Sequence, residues 1–232
     1  MQDFKILTQP NDVTCGPTSL HAIYRYYGDK ISLKKTIDEI EYISSGGTLG
    51  VLLGCHALKR GYKVSMYTFD LKIFDPTWFK DKKIIPSKLR EQLKVKKTKR
   101  VKEITDAYLK YFSLGGEIYF EVLTHSLLKK YFLKNIPILT GLSATYLYNS
   151  MREYTNSENK SVEDDIKGTP MGHFVVLKGF ENDAEHIIVA DPYKTNPISN
   201  KNYYIVETPR LLNSIMLAVV TFDANLLIIE PK

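Results

Sequence analysis

Apolar positions recur at helical spacing directly after Cys15: Leu20, Ile23, Tyr24 and Tyr27 fall on one face, Asp12 or Thr14 can cap the start, and Gly28-Asp29 supplies a stop. This pattern predicts a buried helix with Cys15 at its N-terminus. The same period returns over Leu33 to Ile43 behind the cap Ser32, and over Leu49 to Lys59 behind Gly46-Gly47 and Thr48. Lys63 to Phe69 alternates in steps of two, as a strand does. Ser87 to Phe112 reads as a mostly polar helix, interrupted near Thr98 and ended by Gly115-Gly116. Thr124 caps another helix, Ser126 to Lys134, whose face carries Leu127, Leu128, Tyr131 and Phe132.

From Pro137 the texture changes to short β-rich runs separated by turn residues: Ile138 to Leu142, His173 to Phe180, His186 to Ala190, Tyr203 to Glu207, Leu217 to Phe222 and Leu226 to Ile229. Asn149 to Gly172 is polar and predicts a long exposed loop; whether it covers a cleft is open at this level. Helices first and an antiparallel sheet afterwards is the α+β arrangement, a helical layer packed on a sheet. The chain has 232 residues, 44% hydrophobic and 25% charged, which suits one domain over 1–232 and excludes a disordered chain. No apolar run approaches the roughly 20 residues of a membrane helix. The first residues lack the basic flank and apolar run of a secretory signal, so a cytoplasmic protein is expected, with secretion by a signal-free route left open.

The net charge of +6 is local. Lys80 to Lys102 holds eleven Lys and Arg against Asp81 and Glu91, so that window carries +9 and the remainder −3. Such a segment can attract nucleic acid or an acidic surface, but it has almost none of the interleaved aromatics that single-strand binding uses. It reads as a solvated helix face, and nucleic acid is not expected as a partner.

Neither of the two cysteines, Cys15 and Cys55, lies in a paired spacing that suggests zinc or a disulfide framework. A nucleophilic cysteine is activated by a helix N-terminus or a neighbouring imidazolium. Thr14-Cys15-Gly16-Pro17 supplies the first: the positive end of the helix dipole meets the sulfur, Gly16 permits close backbone approach, and Pro17 suits a first turn. Six residues upstream, the Gln9 amide can return beside the Cys15 N–H, and two such donors make an oxyanion hole. The second device is His173, which opens one strand run, while Asp191 ends the run from His186. A hairpin folded about Asn182 or Asn182-Asp183 sets 173 and 191 opposite each other within about one residue. Asp191 then holds one ring nitrogen of His173 and the other faces Cys15.

The remaining candidates read more plainly. Cys55 and His56 lie in the apolar helix Val51 to Leu58 and, being adjacent, project about 100° apart, so core or lining roles are expected. His21, His125 and His186 have no carboxylate or Cys at a suggestive spacing. Tyr146 and Tyr148, just before the long loop, are candidates for lining a substrate groove or for plain packing.

Gln9-Pro-Asn-Asp-Val-Thr-Cys15-Gly-Pro-Thr-Ser-Leu, then Gly172-His173-Phe-Val-Val-Leu, then Val189-Ala190-Asp191-Pro192, resembles the papain-like cysteine peptidases that process double-glycine leader peptides of bacteriocins, together with their broader peptidase-like relatives. The resemblance implies a papain-like fold, with Cys15 as nucleophile, His173 as base and acid, Asp191 as its orienter, and Gln9 as oxyanion donor. It implies a peptide or protein substrate, no cofactor and no metal. It covers Gln9 to about Gly61 and Ile136 to Pro192; a basic helical insertion is expected at about 71–116. The transporter helices and ATPase that accompany leader-processing members are missing from the sequence, and no Walker-type loop occurs. A stand-alone peptidase is therefore expected, its substrate, cleavage site and oligomeric state unassigned. Two rivals stand beside peptide hydrolysis. Deamidation or acyl transfer uses the same groups and differs only in the second nucleophile. A non-catalytic binding module would instead use the basic surface.

Overall fold

The computed structural model describes residues 4–44, 46–156, 161–181 and 185–232. The first described residues are extended and held by Tyr203, whose hydroxyl donates to the Phe4 carbonyl (3.0 Å) and accepts from the Ile6 N–H (2.9 Å). Five helices and two strands fill the first half: α1 (Cys15–Tyr26), α2 (Leu33–Glu39), α3 (Gly50–Lys59), β1 (Lys63–Thr68), α4 (Ile85–Val95), α5 (Lys99–Ser113) and β2 (Glu117–Tyr119). The second half adds α6 (His125–Phe132), β3 (Ile138–Ser143), α7 (Ala144–Tyr148), β4 (Glu153–Thr155), β5 (Ser161–Glu163), β6 (Gly172–Phe180), β7 (His186–Ala190), β8 (Tyr203–Glu207), α8 (Thr208–Leu217) and β9 (Asn225–Glu230).

The local punctuation works largely as its chemistry dictates. Ser32, Thr98 and Thr124 each accept from a backbone N–H three residues on and start α2, α5 and α6. Gly28, at φ +79°, closes α1 in the left-handed conformation that side chains resist. One cap differs from expectation. Thr14 occupies the capping position of α1, but its hydroxyl turns back to the Asn11 carbonyl (3.0 Å), so no side chain caps this helix. The start of α3 also lacks a local cap, because Leu49 has no polar group; the N–H of Gly50 is taken instead by Asp223 at 2.8 Å.

Seven strands form one sheet in the order β2-β1-β9-β3-β6-β7-β8, antiparallel except for β1 with β2. Both faces are apolar. Val64, Phe174, Val176, Leu227 and Ile229 join one core with α1, α3 and α5, whereas Val175, Leu177, Val189, Leu226 and Ile228 join another with α6 and α8. The α+β arrangement, a helical layer packed on a sheet, thus holds, with two additions. The sheet draws β1 and β2 from the first half, and a second helical layer covers its other face.

Three expectations are corrected. Leu217 to Phe222 is not a strand: α8 ends at Leu217 and a 3-10 turn follows from Ala218 to Thr221. Leu211, Ile215 and Ala218 are buried at helical spacing, and that packing overrides the β-preference of Val219-Val220. The helix from Leu33 stops at Glu39 rather than reaching Ile43, because Ile40 is already extended. The stretch Asn149 to Gly172 is not irregular throughout, since β4 and β5 pair within it.

The segment 71–116 contributes apolar side chains to the interior. Phe74, Ile85, Leu89, Ile104, Tyr108 and Tyr111 belong to the same core as α1 and α3. Its lysines lie on the solvated face, as in the pairs Lys88–Glu91 and Lys102–Asp106. Among the described residues no helix is long and apolar enough to cross a membrane.

Candidate active site

Cys15 opens α1 and is half-buried, within reach of solvent. One turn on, the buried Ser19 hydroxyl donates to the Phe174 carbonyl at 3.1 Å, a contact between residues 155 apart in sequence. Residues at i and i+4 share a helix face, so this bond turns the face carrying Cys15 toward the start of β6. Gly16 lets the helix come close. A Cβ there would lie 2.8 Å from Thr48 Cγ2, 3.1 Å from Leu53 Cδ1 and 3.2 Å from Phe174 Cδ2. Thr48 is held by its own hydroxyl on the Glu41 carbonyl (2.9 Å) and does not turn aside freely. Gly16→Ala is accordingly expected to cost about 1–3 kcal/mol of stability, the range for overpacking, and to displace Cys15. Denaturant unfolding with activity measured in parallel checks it; a fully active, equally stable variant would refute the close packing.

His173 is buried in β6, and its Nε2 lies 2.8 Å from Asp191 Oδ1. Its other nitrogen, Nδ1, is not engaged by Asp191, and the Cys15 sulfur lies close enough to act electrostatically on the ring. Burial alone pushes the imidazole pKa down, but the Asp191 carboxylate and then the Cys15 sulfur more than offset it and raise it to about 10. The ring is then doubly protonated, and its Nε2–H donates to Asp191.

Asp191 is fully buried. Besides His173, its Oδ1 accepts from the Tyr193 N–H at 2.7 Å, while Oδ2 accepts from Tyr148 Oη at 2.6 Å and Tyr204 Oη at 2.7 Å. Burial raises a carboxyl pKa, yet the charge and hydrogen bond of His173 and the two phenols hold this one below its ordinary value. Its backbone is clamped by Asn202 on both sides: the Asp191 N–H donates to the Asn202 carbonyl at 2.8 Å, and Asn202 Nδ2 donates to the Asp191 carbonyl at 2.7 Å.

The pairing that joins His173 and Asp191 differs from the expected register. Val176 faces Ala190 and Leu177 faces Val189, with a bulge before Gly179. Continued to His173, this register sets Tyr193 opposite the ring and leaves Asp191 two residues off, on the diagonal. The pair survives because the offset is even. His173 continues the row of Val175 and Leu177, and Asp191 the row of Ile187 and Val189, and burial of those rows in one core fixes which face each side chain takes. The expected turn at Asn182-Asp183 lies outside the described residues.

Gln9 reaches the same end of the sheet. Its N–H donates to the Pro192 carbonyl at 2.9 Å, and it lines with His173 and Tyr193 a cleft of about 330 Å³. Its Nε2 donates to the Asn11 carbonyl at 2.9 Å, which leaves its second amide hydrogen for another acceptor; Oε1 is buried without a partner among the described residues. Tyr148 lines this cleft as well, and so do Glu153, Ser161 and Glu163 of the β4–β5 hairpin. The polar stretch after Asn149 therefore borders the cleft.

The other candidates stand apart from this group. Cys55 is buried, its Sγ 3.8 Å from the Ala107 carbonyl, and burial pushes its thiol up to about 12. His56 is held between Tyr24 Oη (2.8 Å) and Glu39 Oε2 (3.2 Å). His21 is buried within α1, and His125 stacks on Phe180 at 4.4 Å between ring centroids. The sequence reading missed Ser19, Tyr204 and Asn202. Their contacts join distant segments and leave no local spacing to read; for Tyr148 the sequence offers groove lining or plain packing, and neither includes its bond to Asp191.

With this geometry in view, residues 1–209 match the family model described as Peptidase_C39 like family. The chain belongs to this family. It is thus a papain-like cysteine peptidase by descent as well as by fold. Among solved structures, a protein described as a C39-like peptidase from Bacillus anthracis shares 13% identity at a TM-score of 0.53, over 100% of this chain and 96% of that one. The peptidase domain of Streptococcus ComA, a bifunctional ABC transporter involved in quorum sensing, is similar at 16% identity and a TM-score of 0.46, covering 99% and 100% of the two chains. A double glycine motif protease from an AMS/PCAT transporter, solved with its leader peptide, gives 14% and 0.44, covering 100% and 94%. No protein of curated function matches the sequence.

Proposed function

We propose that this cysteine peptidase cleaves a peptide bond through a thioester on Cys15, with His173 as base and acid, Asp191 as orienter, and Gln9 with the Cys15 N–H as oxyanion donors. The single observation supporting it is a half-buried cysteine at an uncapped helix start, electrostatically coupled to a histidine whose Nε2 is held by a buried carboxylate at 2.8 Å. Cys15 Sγ attacks the scissile carbonyl carbon while its proton resides on His173. The carbonyl oxygen becomes an oxyanion, met by the N–H groups that no side chain caps at the start of α1. As the tetrahedral centre collapses, the C–N bond breaks and His173 Nδ1 gives its proton to the leaving nitrogen. Water then attacks the thioester, His173 takes a proton from it, and the C–S bond breaks to release the acid and restore Cys15.

Among the described residues the lining of the cleft includes Asp12, Glu153 and Glu163 and no Lys or Arg, which suits a peptide segment carrying positive charge. A solvated face on the 80–102 segment keeps nucleic acid outside this reading. Product mass separates hydrolysis from deamidation: two fragments together heavier than the substrate by one water, against an uncleaved chain heavier by about one dalton.

Alkylation of Cys15 by iodoacetamide, with mapping of the modified residue, tests the proposal without any substrate. Expected is modification at Cys15 far faster at neutral pH than of a free thiol, with a further change in rate near pH 10 as His173 loses its proton. Modification of Cys15 no faster than a free thiol would refute the assignment.

A further inference from the structure

Four donors meet one carboxylate at the back of the site. Each oxygen of a carboxylate accepts two hydrogen bonds comfortably, and here both are filled: Oδ1 by His173 Nε2 and the Tyr193 N–H, Oδ2 by the hydroxyls of Tyr148 and Tyr204. The two phenols come from different elements. Tyr204 lies on β8 directly opposite Val189 of β7. Tyr148 is the last residue of α7, whose first turn is tied to the strand before His173 by Ala144 N–H to Met171 carbonyl and Met171 N–H to Thr145 Oγ1, both 2.9 Å. The ionisable groups packed around Asp191 are His173 from β6, Tyr148 from α7, Tyr204 from β8 and Tyr193 next along the chain, with Cys15 of α1 beyond the ring; among the described residues no Lys or Arg hydrogen-bonds to it.

We infer that Tyr148 and Tyr204 form a two-hydroxyl clamp, a pair of positioning residues that orient Asp191 and spread its negative charge, and that Tyr148 links this clamp to the cleft wall. The inference rests on the proposed roles of His173 and Asp191. A buried carboxylate with one oxygen unsatisfied favours its neutral form. Neutral Asp191 no longer supports a charged His173, and the sulfur loses its cationic neighbour. Both phenols stay protonated and serve as donors throughout, since burial first and then Asp191 push Tyr204 well above its ordinary range, and burial with Tyr204 and Asp191 does the same to Tyr148. Tyr148 differs from Tyr204 in also lining the cleft. A peptide seated there touches the ring whose hydroxyl holds the triad's carboxylate, so displacement of Tyr148 is felt at His173.

The test is the acid limb of Cys15 alkylation by iodoacetamide in wild type, Tyr148→Phe, Tyr204→Phe and the double variant. One lost hydrogen bond to a charged group is worth about tenfold in an equilibrium constant. The limb is therefore expected to move up by about one pH unit for either substitution and further for both, whatever the height of the plateau. A purely structural role would lower the fraction of reactive protein and leave the limb in place. Adding Tyr148→Phe to Asp191→Asn is expected to move nothing more, because the clamp acts through the charge of Asp191. An unmoved limb in folded Phe variants, or an equal shift in the Asp191→Asn background, would overturn the inference. If one Phe variant fails to fold, the 13C signal of the Asp191 carboxyl in the other, compared with wild type, decides: a titration moved upward supports the clamp, and an unmoved one overturns it. That signal does not depend on whether Cys15 is the nucleophile. Slow alkylation of wild-type Cys15 would defeat the proposed function separately.

Discussion

Replacing Cys15 by alanine is expected to abolish turnover, lowering kcat by at least about 10³-fold, the scale on which nucleophile removal acts in enzymes of this type, while stability changes by about 1 kcal/mol or less. The two effects separate for a structural reason. Cys15 is half-buried at the first position of α1, so truncating it opens little cavity, and the helix is anchored elsewhere through Ser19 and the packing of Leu20, Ile23 and Tyr24. The sulfur is also one of the groups that raise His173, so the same variant should bring the imidazole down from about 10. Turnover of a cleavable peptide, circular dichroism and an NMR titration of His173 follow the three effects together. Activity persisting in a folded Cys15→Ala protein would end the thioester mechanism.

Asp191→Ala is expected to carry the largest combined penalty. It strips four donors of their acceptor at once: His173 Nε2, the Tyr193 N–H and the two phenols. Breaking a buried charged pair on one side typically costs about 3–5 kcal/mol, and a histidine without its orienter typically loses about 10⁴ in kcat. Asp191→Asn keeps an acceptor and removes the charge, so it should fold better and isolate the electrostatic part. The sign of that part follows from linkage. His173 is raised, so its contribution to stability is full below about pH 6.5 and is lost as pH rises through about 10; Asp191 is depressed, so its contribution is present above about pH 4 and lost as pH falls further. Asp191→Asn should therefore flatten the loss of stability between pH 6.5 and 10 that wild type shows. Denaturant midpoints measured across that window check it; an unchanged slope would mean that Asp191 does not hold the proton on His173.

Much of the fold was legible because both sheet faces are buried, so that the central strands read as short unbroken apolar runs. β6, β7, β8 and β9 lie where the apolar runs place them, and the break at Thr98 and the caps Ser32 and Thr124 fall as their side-chain chemistry predicts. Legibility failed where local preference and tertiary packing disagree. Val219-Val220 favour a strand and sit in a 3-10 turn, since the helix that precedes them buries Leu211 and Ile215. It failed again where a partner is remote, as with the hydroxyl of Ser19 or the phenol of Tyr204.

The pairing of His173 with Asp191 draws the same line. Alternation within the two strands sets both side chains on one face, and this is readable from the residues because a pleated strand has a period of two. How far apart they stand along the strands was not readable, because register depends on the turn and the bulge, and the actual register is shifted by one or two residues from those that the two turn centres suggest. The sequence alone thus determined a cysteine at a helix start, a histidine and a carboxylate on a common strand face, and a chain without long apolar helices. Only the tertiary structure decided that the ring meets the carboxylate on a diagonal and that two phenols complete the carboxylate, since contacts between elements far apart in the chain arise from packing around a shared core and imprint no periodicity on it.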